Sequence, residues 1–322
     1  MAKTTKLKLT ELEEAIKSNF ITCNYLFMEL QNSFLIDVYQ KNYRDFEISN
    51  ILTLLNRDLH QKILHQRVFD LNYDISIDNF KKNFEQINQE NKKIIYISKQ
   101  TALPKETARR KISFLLKRKI IRTERKDYFL HPSVIDINGL SLPQNNQINS
   151  LAKLINEMSE SINLNSSYEN IKYNIKKNYS FYLYHYLKVF LEWTSLWQKK
   201  YHDLDMLVIY LQCLIKNYFF YHKQGVKTYK DFYLKKSISK INMPEISIGA
   251  STISDVTHIP RASCIRKLDK LCSLKMISKD DKKRYFINLN QNSDSEFSKE
   301  HSKNTMSIFT KFFLILANNL NN

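Results

Sequence analysis

Basic and hydroxyl side chains recur at matched positions on two short stretches of this chain. Lys105, Glu106, Thr107, Arg109, Arg110 and Lys111 occupy the first; Arg261, Ser263, Ile265, Arg266 and Lys267 occupy the second. A guanidinium can bond a guanine edge at two atoms at once. Hydroxyl and ammonium groups hold phosphate oxygens, and an isoleucine can cover a thymine methyl. The chemistry on offer is recognition of a polyanion rather than the making or breaking of bonds.

The elements that must position these residues follow from the pattern around them. Residues 97–121, ISKQTALPKETARRKISFLLKRKII, align without a gap on residues 253–277, ISDVTHIPRASCIRKLDKLCSLKMI, and nine of the 25 positions are identical. In the first copy Ser98 is placed to cap a short helix over 99–102, with Leu103 as its buried edge. Pro104 suits the first turn of the next helix. Ala108, Ile112, Leu115 and Leu116 then give that helix an apolar inner face, as do Cys264, Leu268, Leu271 and Cys272 in the second copy. A β-prone stretch, a charged tip and a second β-prone stretch follow each helix, over 120–130 and 276–287. These read as hairpins whose tips carry Arg125 and Lys126, and Lys282, Lys283 and Arg284.

Each copy resembles the DNA-binding segment of winged-helix transcriptional regulators, the MarR-type and GntR-type groups among them. The likeness covers roughly 35 residues per copy. It rests on the pattern I-S-x-x-T-x-[LI]-P-[KR]-x-[TS]-x-x-R-K-[IL]-x-x-L, followed by K-[IM]-I and the hairpin. Ala102 and His258 stand where such turns usually have glycine. The resemblance implies that 105–117 and 261–273 are recognition helices lying in a major groove, with the hairpins as wings. It makes double-stranded DNA the expected partner.

The repetition extends beyond these segments. Residues 39–48 match 197–206, and Leu151, Leu154, Ile155 and Met158 match Phe309, Phe312, Phe313 and Leu316, both at an offset of 158. Each half reads as two long helices, a winged helix and a closing helix. The expected fold is therefore mainly α, a tandem duplication of a winged-helix domain with flanking long helices and small β-wings. Its halves would be related by a pseudo-two-fold, as in a MarR-type dimer. The expected division is an N-terminal extension over 1–19, a first repeat over 20–158, a linker over 159–179 and a second repeat over 180–322. Thr10 and Glu13 suggest a capping box that starts a helix at Glu11. Residues 57–93 and 217–245 are longer than ordinary connections; an extra helix is expected in the first and a buried aromatic run, Tyr218 to Tyr221, in the second.

Composition narrows the classes. The chain of 322 residues has three glycines and five prolines, too few for a large β fold rich in tight turns. A formal net charge of +18 and a pI near 9.5 favour a polyanionic partner. There is no apolar run of membrane-spanning length and no signal peptide, so a cytoplasmic protein that makes no use of a membrane is expected. Glycine-rich phosphate loops, zinc-protease and serine-hydrolase motifs are missing, so neither an enzyme nor a cofactor is expected. Cys23, Cys213, Cys264 and Cys272 form no C-x-x-C and read as free structural thiols. Asp45 and Glu47 recur as Asp203 and Asp205. A repeated acidic pair can ligate metal, but capping a helix N-terminus is the plainer reading, so no metal is expected.

The stripe Tyr182, Tyr186, Phe190, Trp193 and Trp197 fits core packing and leaves room for a small-molecule effector. Two readings outside transcription remain open at this point: a plasmid- or phage-type replication initiator, and a scaffold whose winged helices bind protein. In each DNA-binding reading a monomer would act as a covalent pseudo-dimer, with a homodimer as the alternative assembly.

Overall fold

A computed structural model describes residues 7–87, 89, 92–131, 146–159, 162, 164, 166–228, 230–232, 243–287 and 296–320. The protein is mainly helical with two small antiparallel sheets. The first half of the chain forms α1 Leu9–Ser18, α2 Phe20–Lys41, α3 Phe46–Phe69, α4 Ile77–Asn83, α5 Ile94–Thr101, α6 Lys105–Lys117, β1 Ile121–Glu124, β2 Asp127–Leu130 and α7 Asn146–Ser159. The rest forms α8 Tyr168–Lys177, α9 Tyr179–Tyr201, α10 Leu204–Lys223, α11 Met243–Ile246, α12 Ala250–Thr257, α13 Arg261–Ser273, β3 Ser278–Lys279, β4 Tyr285–Phe286 and α14 Glu296–Leu320. Among the described residues no helix is long and apolar enough to cross a membrane.

Several helix starts differ from the sequence expectation. The first helix begins two residues before Glu11, and the Lys8 amide donates to the Glu11 carboxylate at 3.1 Å. A carboxylate one turn in satisfies an amide left open at the helix start, so Thr10 has no capping part. Asp45 does cap α3 as expected, its carboxylate accepting from the Ile48 amide at 3.0 Å. The extra helix expected within 57–93 is α4, capped by Ser76. The aromatic run at 218–221 is the last part of α10, and only Tyr221 of the four is buried. Residues 233–242 of that stretch lie outside the described residues. The span read as a linker holds α8, which buries Ile171 and Ile175 and packs against α9.

The chain divides into two compact units. One, here the α3 unit, comprises residues 37–152 and 167–204; the other, the α10 unit, comprises 1–36, 153–166 and 205–322. In the α3 unit, α9 lies along α3. The stripe Tyr182, Tyr186, Phe190, Trp193 and Trp197 is buried throughout and serves as core. His60 of α3, Phe80 of α4 and Tyr179 of α9 meet there, with His60 stacked on Phe80 at 4.5 Å. The Ser180 amide donates to the Ile75 carbonyl at 3.0 Å and fixes where α9 begins.

In the α10 unit, the first part of α2 lies beside α10. Tyr25 rests on Phe219 at 5.8 Å, and Gln212 donates to Asn32 at 2.8 Å. Phe20, Ile21, Tyr221, Val226 and Phe232 form a buried cluster. The Ile21 amide donates to the Lys227 carbonyl at 3.2 Å, the counterpart of the bond between Ser180 and Ile75. Phe27 packs on Phe309 of α14 at 4.7 Å, and α1 lies against the same helix.

The compact units and the sequence repeat cut the chain at different places. Helix α9 opens the second repeat but packs in the unit that holds the first repeat's α3. The first part of α2 opens the first repeat but packs in the unit that holds α10. A sequence repeat records similarity along the chain; a compact unit records which apolar faces meet. Each unit therefore takes one of its long helices from the other half of the sequence.

Candidate nucleic-acid interface

Residues 94–130 of the α3 unit and 250–287 of the α10 unit each form a helix, a turn, a second helix and a hairpin. The turn is built the same way in both. Ala102 (φ 55°, ψ 23°) and His258 (φ 58°, ψ 15°) take the left-handed conformation that glycine normally supplies. For a residue with a Cβ this costs about 1–2 kcal/mol. Local bonds hold it in place. Ser98 donates to the Leu103 carbonyl at 2.7 Å and Ser254 to the Ile259 carbonyl at 2.8 Å. Thr101 and Thr257 donate back to Ile97 and Ile253, both at 2.7 Å. Ser98 thus clasps the turn instead of capping a helix; α5 already begins at Ile94. Leu103 and Ile259 are buried, and Pro104 and Pro260 each stand just before a helix, where a missing amide hydrogen costs nothing.

The second helices bury Ala108, Ile112 and Leu115, and Cys264, Leu268 and Leu271. Leu116 and Cys272, expected on the same faces, are only half-buried. Both helices end through a lysine with positive φ, Lys119 and Lys275. The next amide then bonds back, Ile120 to Leu115 and Met276 to Leu271, each at 3.0 Å. The hairpins pair Ile121 with Leu130 and Ser278 with Phe286. Each gains a third backbone partner from just before its first helix. The Tyr128 amide donates to the Lys92 carbonyl at 3.0 Å, and Ile248 and Tyr285 exchange amide–carbonyl bonds at 2.8 and 2.9 Å.

An ion pair fixes each second helix to the start of a long one. Lys111 bonds Asp45 and lies 2.9 Å from Glu47; Lys267 lies 3.2 Å from Asp205. Burial alone would lower the Lys111 ammonium. Its hydrogen bonds to the two carboxylates, together with their negative charge, outweigh burial, and the net shift of its pKa is upward. The acidic pair Asp45 and Glu47 therefore does more than cap a helix: it receives a cation, as Asp205 does in the second copy. Among the described residues no group of three or more His, Cys, Asp or Glu side chains is arranged to hold a metal. All four cysteines are free thiols.

Most of the expected site residues face outward. Lys105, Glu106, Arg109 and Arg110 are exposed on α6, as are Arg261 and Arg266 on α13; Thr107, Ser263 and Ile265 are half-buried beside them. Arg125 and Lys126 form the tip of the first hairpin, and Lys282 and Lys283 lie at the second. Three placements differ from the expected set. Lys111 and Lys267 point inward to their carboxylates, with side chains 16% and 11% exposed. Arg284 is half-buried and pairs with Asp280 at 3.0 Å.

Asp280 also accepts from the Ser247 hydroxyl and from the Lys282 and Arg284 amides. Burial opposes ionisation of this carboxyl, yet those hydrogen bonds prevail and hold it below the usual range. Internal pairs also temper two outward arginines. Arg109 bonds Glu106 one helical turn back at 2.5 Å, and Arg261 donates to Ser251 at 3.0 Å.

Exposed cations beyond the expected set extend both faces. Lys117 and Arg118 continue the first, with Arg118 stacked over Tyr43 and Phe114; Lys270 continues the second. Arg118 could have been found from its place one turn beyond Phe114. Comparison with protein-family models, with curated proteins and with solved structures finds no match for this chain.

Proposed function

We propose that the chain is a sequence-specific double-stranded DNA-binding transcriptional regulator. In this reading residues 94–130 and 250–287 are two winged helices, a tandem duplication carried in one chain. The observation that carries it is a combination found twice: a second helix whose inner face is buried and ion-paired in place, and whose outer face, with the adjoining hairpin tip, presents arginine and lysine. A major groove accepts one helix, and hairpin cations beside it reach the flanking phosphates. Arg110 and Arg266, whose counterparts match in both copies, are the main base or backbone contacts. Lys105, Arg125, Lys126, Lys282 and Lys283 hold phosphates, and Ile265 offers an apolar contact to a thymine methyl. Lys111, Lys267 and Arg284 act by positioning.

The net charge of +18 supports the same partner. If about six phosphates are neutralised, affinity for duplex DNA falls on the order of a thousandfold between 50 and 200 mM salt. A titration of labelled duplex across that range tests the reading, and a flat response refutes it. Genomic sites clustered at a replication origin rather than at promoters would reassign the same apparatus to replication initiation.

A further inference from the structure

Asp58 stands on α3 about 20 Å beyond Asp45, at a rise of about 1.5 Å per residue. It is buried. Its carboxylate accepts from Arg57 Nε at 2.9 Å and Nη2 at 2.5 Å and from the Tyr96 hydroxyl at 3.0 Å, and lies 3.5 Å from the Lys92 ammonium. Arg57 also donates to the Tyr96 hydroxyl at 2.7 Å and to the Gln100 amide oxygen at 3.2 Å. Tyr96 and Gln100 lie one turn apart on one face of α5. The buried Lys92 extends its ammonium over the Tyr96 ring at 4.8 Å, and its carbonyl is the one that accepts the Tyr128 amide of β2. One carboxylate on α3 therefore reaches α5 through Tyr96 and the hairpin through Lys92.

The second copy is fastened differently. At the aligned positions, Arg57 and Asp58 become Ile215 and Lys216, and Lys92, Tyr96 and Gln100 become Ile248, Thr252 and Val256. The carboxylate there comes from the hairpin itself. Asp280 accepts from the Ser247 hydroxyl at 2.9 Å, and Ser247 adjoins Ile248, the backbone partner of Tyr285. The second hairpin is thus tied to its own segment, and the first to a long helix. Stability alone does not call for a charged tie. Apolar packing in place of a buried ion network is often neutral or stabilising, and the second copy holds isoleucine at two of the aligned positions. What the charged network adds is direction, because a guanidinium and a carboxylate bond in one fixed geometry.

We propose that Asp58 is a positioning residue for the first winged helix. From α3 it sets the stance of α5 and of the hairpin, and so where Arg125 and Lys126 stand relative to Arg110. Arg110 itself rides on α6, which Lys111 holds to Asp45 and Glu47. Asp58 orients the other two parts of the segment and touches no DNA. Its loss is felt in one half-site, because the second hairpin is organised by Asp280. The effect on binding rests on the DNA-binding reading above; the positioning does not.

The test uses the full chain with Asp58→Asn and, as a milder change, Tyr96→Phe, which removes one hydroxyl and leaves the carboxylate beside both cations. Each is titrated on the selected duplex and on duplexes with single base changes in either half-site. The half-site of the first copy is the one that Arg110→Ala relaxes. Asp58→Asn should weaken binding on the order of tenfold and make the salt slope shallower by about one to two, as the loss of hairpin phosphate contacts requires. Discrimination should fall in the Arg110 half-site and stay native in the other. Tyr96→Phe should move the same half-site by about threefold, the usual worth of one hydrogen bond. A part in folding alone would lower binding on every duplex alike and leave the salt slope unchanged. Equal losses at both half-sites, or native binding by both variants, overturns the proposal. Where Asp58→Asn loses its helical circular dichroism, Tyr96→Phe decides by the same two outcomes.

If the native chain binds no duplex, the DNA reading has failed and amide hydrogen exchange decides the positioning alone. The Tyr128 amide and those of α5 should exchange about tenfold faster in the variants, while those of α12 and β4 keep their native rates. Native exchange at Tyr128 in both variants, or faster exchange in both segments alike, overturns it.

Discussion

Segments 94–130 and 250–287 agree on the inside and diverge on the outside. Both place a residue with a side chain in the left-handed turn, at Ala102 and His258; both clasp it with a serine and a threonine; both tie the second helix to a carboxylate through a lysine. Outside, α6 presents Lys105, Glu106, Arg109 and Arg110, where α13 presents Arg261, Ala262, Ile265 and Arg266. The first hairpin tip is Arg125–Lys126; the second is organised around Asp280, which takes Arg284 out of the exposed set. Packing fixes the frame of such a segment, while its outward residues are free to change what it recognises.

The largest expected effect comes from cutting the chain. Because α9 packs in the α3 unit and the start of α2 in the α10 unit, neither sequence half contains a complete core. Cleavage at a protease site inserted between Ser159 and Ser166 should leave the two pieces associated on gel filtration. Each piece expressed alone should show far less helix by circular dichroism than it has in the whole. A first half that folds alone would break the assignment of helices to units.

The ion pairs come next in size. Lys111→Met strands two carboxylates and should cost about 3 kcal/mol of stability in denaturant melts. Lys267→Met should cost less, since Asp205 is 36% exposed against 23% for Asp45. Neither change should alter the salt slope of DNA binding, because both ammonium groups face inward. Equal stability of variants and native chain would remove the positioning role.

A smaller, pH-dependent effect marks the α3 unit. Burial lowers His60 from 6.5 to about 3, and burial with help from Lys188 lowers His185 to about 4. The folded state keeps His60 neutral, while the unfolded chain takes up a proton below about pH 6.5. Stability is thus full above that pH and falls as pH drops towards 3. Going from pH 7 to pH 5 should cost about 2 kcal/mol through His60, because each tenfold rise in proton concentration below pH 6.5 favours the unfolded chain by about 1.4 kcal/mol. Half-buried His185 adds a smaller, solvent-screened share. Urea midpoints for native chain and His60→Phe at both pH values check this; equal pH dependence in the two would contradict it.

Much of the local structure is legible in the sequence alone. The apolar spacing of Ala108, Ile112 and Leu115 gives the buried face of α6, and Asp45 gives the start of α3. The turn is legible only in part. Without glycine at 102 and 258, the left-handed geometry depends on hydrogen bonds from Ser98 and Ser254 that spacing does not reveal. Which long helices pair is not legible, since α2, α3, α9 and α10 all have the apolar length to pair with one another. Lys111 reads as outward because it adjoins Arg110. It sits beside Ile112 at the edge of the inner face, and its partners lie more than 60 residues away in sequence. Arg109 and Arg110 are legible as exposed cations, but Glu106's hold on Arg109 shows which of the two is the freer.

The most direct measurement is selection of bound sites from a random duplex pool, followed by titration of Arg110→Ala and Arg266→Ala on the selected sequence. The account predicts a site with two non-identical half-sites, each variant weakening binding by about 1–3 kcal/mol and relaxing the sequence of one half-site only. No enrichment from the pool, or two variants that bind as tightly as the native chain, would contradict it.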